Sequence, residues 1–346
     1  MFLKIKNKIE RELNHYILSI DKLYSLSKIS PVLSENIKDF ISRKGKRIRP
    51  ILFVVGYLGF AKKAAPGLYR SAISLELLHD FLLVHDDIID KSSTRRGKPS
   101  MHEMLNKYLA RYKNIKFSGQ DLSIVIGDVM YAISLHAFLS IKERSDRKEA
   151  ALKRFIDAAM YTGSGEFIEL LSGLKSIDKI TKPDIYKIYD YKTANYTFAS
   201  PLGIGAILAG ADQTQIDRLF KYGIYLGRAF QIKDDILGMF SDERKIGKST
   251  LTDLQESKKT ILVWYAYQNC NKKNQLTIKN ILSKKNVVNS DLLKMRRLTV
   301  ESGALDYAKG EISSFIKRAQ KLNVSFKMHP RYKHMLFQYT GEILKL

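Results

Sequence analysis

The stretch Tyr69–Lys91 contains neither glycine nor proline and carries apolar residues at 73, 75, 77, 78, 81, 82, 84, 88 and 89. That distribution is wider than one amphipathic stripe, so it predicts a helix buried on most of its circumference inside a bundle. The end of this helix nevertheless reads His85-Asp86-Asp87-Ile88-Ile89-Asp90. Carboxylates set into an apolar helix are costly unless something compensates their charge. A second stretch, Ile216–Phe240, repeats the conflict with Gln231-Ile232-Lys233-Asp234-Asp235, and its glycines 223, 227 and 238 permit close approach of neighbours. Basic residues follow each acidic set: Arg95-Arg96-Gly97 after the first, Gly247-Lys248 and Lys258-Lys259 after the second.

Residues four apart on a helix share a face. Asp86 and Asp90 therefore point the same way with Asp87 on the shoulder, and Asp234 and Asp235 offer a second ledge. One such pair would equally suit a solvated helix end. Two pairs, each in an apolar helix and each followed by cations, point instead to divalent metal. Magnesium suits this donor set because it takes a few carboxylates, keeps several waters and accepts phosphate oxygens. The cations beyond it then imply an anionic second ligand, a diphosphate.

The rest of the chain supports an all-α bundle. Seven prolines leave long stretches free of breakers, and 122–142, 149–172, 184–200, 252–270 and 304–322 fit helical periodicity. No segment alternates over a strand's length next to a hairpin turn. With no repeat and no linker, the chain predicts one domain over 1–346, its motif-bearing core at about 40–265 and a polar surface segment of short helices and loops at 271–303. The apolar stretches 51–61 and 196–211 are too short or too broken for a transmembrane helix, which needs about 20 residues. The N-terminus lacks the apolar region of a signal peptide. The one cysteine, Cys270, rules out an internal disulfide and fits a reducing cytoplasm. Net charge is +24, from 59 Lys and Arg against 35 Asp and Glu. Lysine doublets such as Lys272-Lys273 are scattered rather than interleaved with aromatics, and no nucleic-acid motif appears. Solvated helix surfaces are the favoured account, attraction to an anionic membrane surface or to phosphorylated substrates is the other, and the charge alone decides nothing. Gly247-Lys248-Ser249 lacks the first glycine of a P-loop, and Glu76-x-x-His79 lacks the paired histidine of a zinc protease.

An ordered set of motifs along nearly the whole sequence resembles the trans-type, head-to-tail isoprenyl diphosphate synthases. Its members are Gly45-Lys46-Arg47-Ile48-Arg49-Pro50, Glu76-Leu77-Leu78-His79, Asp86-Asp87-Ile88-Ile89-Asp90 with Arg95-Arg96-Gly97, and Gly127-Asp128. Lys192-Thr193-Ala194, Phe230-Gln231-Ile232-Lys233-Asp234-Asp235 and Gly247-Lys248…Asp253-Leu254…Lys258-Lys259-Thr260 follow. The resemblance implies an isoprenoid-synthase fold, a cytoplasmic homodimer, and repeated 1′-4 condensation of isopentenyl diphosphate onto dimethylallyl, geranyl or farnesyl diphosphate. It implies that Asp86, Asp90 and Asp234, with Asp87 and Asp235 assisting, hold three magnesium ions on the allylic diphosphate. Arg95, Lys192, Lys248 and Lys258 would complete that clamp. Lys46, Arg49, His79 and Arg96 would take the diphosphate of isopentenyl diphosphate, and Thr193 and Gln231 would line the path of the carbocation.

Two places depart from the family pattern. Gly238 stands where many members have a third aspartate, and Ser249-Thr250-Leu251 follows Lys248 where Pro and Gly are common. Phe81 and Leu82, five and four positions before Asp86, are implied to set chain length. A lone Phe81 beside an aliphatic Leu82 resembles geranylgeranyl diphosphate synthases, so twenty carbons is the expected product and fifteen the runner-up. A class I terpene cyclase shares the fold and the first motif. It usually replaces the second with an Asn/Asp-Ser-Glu triad, whereas Asp234-Asp235 is kept here. A regulatory subunit of a heteromeric synthase is the non-enzymatic alternative, and the intact acidic clusters speak against it.

Overall fold

A computed structural model describes residues 2–241 and 251–344; Lys248, with Gly247, Ser249 and Thr250, lies outside them. Met1–Leu152 with Gly205–Gly210 pack as one unit, and Lys153–Ile204 with Ala211–Leu346 as a second.

In the first unit α1 (Phe2–Tyr24) buries Ile5, Ile9, Leu13, Tyr16 and Ile20, a single stripe of period three to four. A one-turn α2 (Leu26–Ile29) leads to α3 (Pro31–Ser42), where Ser30 caps the Leu33 amide and Pro31 opens the helix without losing a useful donor. Next come α4 (Ile48–Phe60) and α5 (Leu68–Ile89). Helix α5 matches the opening expectation: Ile73, Leu75, Leu77, Leu78 and Val84 are fully buried, and neighbours α1, α4 and α7 surround it. It starts at Gly67, whose φ of +80° suits glycine and where a Cβ would stand 2.1 Å from the Ser140 carbonyl oxygen. It ends at Asp90, whose N–H donates to the Asp86 carbonyl at 2.8 Å.

A two-residue hairpin follows, β1 (Thr94–Arg95) against β2 (Lys98–Pro99). Its turn, Arg96-Gly97, has φ of +55° and +74°, the paired positive values of a type I′ turn. Strands this short show no alternation, so the sequence pattern does not reveal them. Beyond α6 (Met101–Leu109), α7 (Gly119–Phe138) is opened by a Ser118–Asp121 capping box. By length and composition α7 matches a membrane span, although it lies outside both stretches weighed from the sequence; it packs against α5 and α6.

Apart from Ser145–Leu152 and Gly205–Ala209, which belong to the first unit, the second unit opens with α8 (Ser145–Gly173), followed by α9 (Lys182–Ile188), π-helical Tyr189–Ala199 and α10 (Ser200–Ala209), the last three continuous. The expected helix at 184–200 is therefore mostly π-helix, which is rare and concentrated at functional sites. Against it lies α11 (Gln213–Phe240), capped by Asp212. Two expectations need correction. The single helix predicted over 252–270 is two, Thr252–Gln255 and Ile261–Asn269, parted by a turn in which Ser257 takes φ +54°. The segment 271–303 is not merely surface: its helices Lys272–Leu282 and Asn289–Glu301 bury Ile278, Ile281, Leu282, Leu292, Met295 and Leu298. Helices Ala304–Val324 and Pro330–Leu344 complete the unit.

Candidate active site

The helical twist sorts the first aspartate cluster. Asp86 and Asp90 are partly exposed and each offers a carboxylate oxygen, the two within 4.8 Å of each other. Asp87, one residue round the helix, is fully buried and accepts from Arg95 Nε at 2.7 Å. Burial pushes the Asp87 carboxyl up to about 6 although the Arg95 guanidinium opposes it. Arg95 Nη2 also reaches Asp86 at 3.3 Å. The outward pair is an all-oxygen donor set of the kind a hard cation prefers.

A second cluster surrounds Glu76. Arg47, at φ +56° and almost fully buried, donates from Nη1 to Glu76 Oε1 at 2.6 Å and from Nε to Glu10 Oε1 at 3.1 Å. Gly45 makes room: a Cβ there would stand 3.2 Å from Arg47 Nη1 and 3.3 Å from Glu76 Oε1. Arg96 donates to Glu76 Oε1 at 3.2 Å, with Asp80 beside it at 3.1 Å. His79 is partly buried, and desolvation together with Arg49, Arg96, Arg95 and Arg47 holds its pKa well below the ordinary histidine value. Arg49, Arg96 and His79 thus share one electrostatic neighbourhood, whereas Lys46 is exposed at the start of α4. The sequence reading assigns no role to Arg47, Glu76 or Asp80.

Phe81 lies against Tyr131 of α7, ring centroids 5.1 Å apart, and against His85 at 4.8 Å. His85 in turn explains Gly127, where a Cβ would meet its Cε1 at 2.3 Å. Leu82 is partly buried next to Phe81.

In the second unit the π-helical stretch presents Lys192 and Thr193. Lys192 Nζ lies 2.5 Å from both Glu166 and Glu169 of α8, two residues the sequence reading does not single out. The crossing is tight because Gly165 has no side chain; a Cβ would stand 2.5 Å from the Lys192 amide nitrogen. On α11 the second doublet splits as the first does, with Asp234 exposed and Asp235 buried. Thr193 Oγ1 donates to Gln231 Oε1 at 2.6 Å, and Gln231 Nε2 donates to Asp235 Oδ1 at 2.9 Å. The Tyr189 hydroxyl donates to Asp235 Oδ2 and accepts from the Ile261 amide at 3.0 Å. Burial pushes the Asp235 carboxyl up to about 7, against those hydrogen bonds. At Gly238 the Asp253 Oδ2 lies 3.0 Å from where a Cβ would be. Lys258 pairs with Glu256 at 2.7 Å and Asp253 at 3.7 Å.

Residues 30–298 match the polyprenyl synthetase family profile. The chain belongs to that family. It is 30% identical over 296 residues to the geranylgeranyl diphosphate synthase of Sulfolobus acidocaldarius, covering 84% of this chain and 83% of the relative. It is 30% identical over 315 residues to the geranylfarnesyl diphosphate synthase of Aeropyrum pernix, covering 90% and 91%. Its fold is that of a crystal structure of geranylgeranyl pyrophosphate synthase from Corynebacterium glutamicum complexed with isoprenyl diphosphate and magnesium. That match has a TM-score of 0.89 at 24% identity, over 99% of this chain and 98% of the other. The all-α, isoprenoid-synthase expectation holds, and the chain is a prenyltransferase by family.

Proposed function

We propose that this chain works as one catalytic domain that condenses isopentenyl diphosphate with allylic diphosphates by magnesium-dependent 1′-4 transfer, ending at a twenty-carbon product. The observation that carries this reading is the wall formed by α5: an outward carboxylate pair, Asp86 and Asp90, at one end, and Phe81 closed by Tyr131 five residues earlier. At 1.5 Å per residue the two lie about 7.5 Å apart along the helix. A diphosphate held at the carboxylates would send its hydrocarbon tail down this wall.

Three magnesium ions, on Asp86, Asp90 and Asp234 with Asp87 and Asp235 assisting, would offset charge on the leaving diphosphate. Arg95, Lys192, Lys248 and Lys258 would add cationic charge where that negative charge develops, which is where stabilisation speeds reaction. Lys46, Arg49, His79 and Arg96 take the isopentenyl diphosphate. Thr193 and Gln231 line the carbocation path, and the proton lost at the end goes to the departing diphosphate. For assembly, the exposed apolar stripe Ile156, Met160, Phe167, Leu170 and Leu171 on α8, with Leu174 just beyond its end, supports a homodimer through that face. The lone Cys270 is consistent with the cytoplasm.

The test is incubation of the purified chain with labelled isopentenyl diphosphate and each allylic primer, sizing the dephosphorylated products. Twenty-carbon product from the wild type, longer product from Phe81→Ala and shorter product from Leu82→Phe are expected. An unchanged distribution in folded Phe81→Ala removes Phe81 as the floor. The geranylfarnesyl synthase relative favours a second reading, a twenty-five-carbon product, which the same assay separates. No turnover by the chain alone would favour a regulatory subunit.

A further inference from the structure

Glu76 and Asp80 stand one helical turn apart on α5, both buried, and the Arg96 guanidinium reaches both. Glu76 is well satisfied, by Arg47 at 2.6 Å and by Arg96 Nη2 at 3.2 Å. Asp80 is not. It is fully buried, Arg96 Nη1 lies 3.1 Å away, yet neither Asp80 oxygen nor that Nη1 has a hydrogen-bond partner among the described residues. The two are held by charge without alignment, and buried polar groups left in that state are costly. Arg96 is itself at φ +55°, a conformation a non-glycine residue keeps only where its surroundings enforce it. One side of the guanidinium is therefore fixed by Glu76, and the other faces Asp80, both Nη1 and the Asp80 oxygens being buried.

Resting on the reading that Arg96 receives the diphosphate of isopentenyl diphosphate, we infer that Asp80 is the positioning residue for Arg96. It yields the guanidinium to the incoming diphosphate and takes up one proton from solvent as it does so. The carboxylate becomes a carboxylic acid, and no other bond changes. Among the described residues the charged groups that act most on Asp80 are Glu76 on its own helix, Arg96 in the hairpin turn and Arg47 at the start of α4. Burial and Glu76 push its pKa up, while Arg96 and Arg47 pull it down. Once the diphosphate claims Arg96, the remaining cation is Arg47, which Glu76 and Glu10 already engage. A buried carboxylate stripped of its cation neutralises. Because binding takes up a proton, affinity for isopentenyl diphosphate falls as pH rises, by up to about tenfold per unit. Affinity for the allylic primer is untouched by this route.

Calorimetric titration of the full chain with isopentenyl diphosphate, in magnesium buffers of differing ionisation heat, counts the protons. Wild type should take up between about half a proton and one more than Asp80→Asn, and only wild type should show the added fall in affinity with pH. Equal counts in the two overturn the inference. Arg96→Ala separates the failures: if it binds isopentenyl diphosphate as wild type does, the underlying assignment of Arg96 fails. If it binds weakly while wild type and Asp80→Asn take up equal protons, only the role of Asp80 fails. Should Asp80→Asn not fold, difference infrared spectroscopy of wild type decides. A new protonated-carboxyl band on adding isopentenyl diphosphate, missing in Arg96→Ala, supports the inference, and no band overturns it.

Discussion

Gly227→Ala asks whether close packing places Thr193 and Gln231, the proposed lining of the carbocation path. A Cβ at position 227 would stand 2.3 Å from both Cα and Cβ of Ala194, next to Thr193 on the π-helical stretch. Ordinary contact begins at 3.4 Å, so α11 and that stretch must separate by about 1.1 Å, and backbone cannot swing aside as a flexible side chain can. One turn further along α11 the Thr193–Gln231 hydrogen bond is 2.6 Å; the same displacement stretches it to about 3.7 Å, beyond bonding range. Overpacking of this kind costs about 1–3 kcal/mol. A misplacement of about 1 Å near the chemistry costs about 100-fold in rate. Urea denaturation followed by circular dichroism should therefore show the stability loss, and steady-state prenyl transfer a fall of about 10- to 100-fold in kcat. Gly310→Ala is the internal control: exposed, helical and with nothing within 4 Å of the added Cβ, it should gain about 0.5–1 kcal/mol and keep full activity. If Gly227→Ala has wild-type stability and turnover, the packing argument for Thr193 and Gln231 is wrong.

Three further outcomes are expected. Asp86→Ala or Asp234→Ala should lower turnover about 100- to 1,000-fold with an unchanged melting curve, measured at saturating magnesium. Arg49→Ala and Arg96→Ala should raise KM for isopentenyl diphosphate more than for the allylic primer, whereas Lys192→Ala should slow ionisation, seen in single-turnover kinetics. Because the folded-state pKa of His79 is depressed, its contribution to stability is fully present above the unfolded pKa of about 6.5 and is lost as pH falls below it. Wild type should accordingly lose up to about 1.4 kcal/mol more per pH unit on acidification than His79→Gln, read from urea midpoints between pH 7 and 5.

Helix periodicity made the long elements legible, because burial on most faces leaves a dense apolar record, as in α5 and α11. It was silent on the π-helical stretch, since a changed hydrogen-bond register there leaves Tyr189–Ala199 with no composition of its own. The break after Gln255 was hidden for a related reason: no Gly or Pro marks it, and the next helix is signalled by a single cap, Thr260. The 271–303 segment misled through composition, because two narrow buried stripes are diluted by lysine and asparagine on the other faces. Arg47 shows the limit most clearly. In the motif it is a spacer between Lys46 and Arg49, yet it is among the most buried large side chains. Its partners Glu10 and Glu76 lie 37 and 29 positions away, so only tertiary structure reveals that it is paired.

Each aspartate doublet has two kinds of member. Successive helical residues are turned about 100° from each other, so when one points outward the next points into the bundle. Asp86 and Asp234 face outward, while Asp87 and Asp235 are buried and accept hydrogen bonds from neighbours. Those neighbours matter. Asp87 holds Arg95, and Asp235 holds Gln231, which in turn receives Thr193. The inward carboxylate thus fixes a neighbouring cation or polar side chain. Asparagine at 87 would lose the charge that pairs with Arg95, and asparagine at 235 would keep one acceptor oxygen where Gln231 and Tyr189 use two. A doublet, rather than a single aspartate, lets one turn of helix offer an outward carboxylate and anchor a neighbouring side chain together.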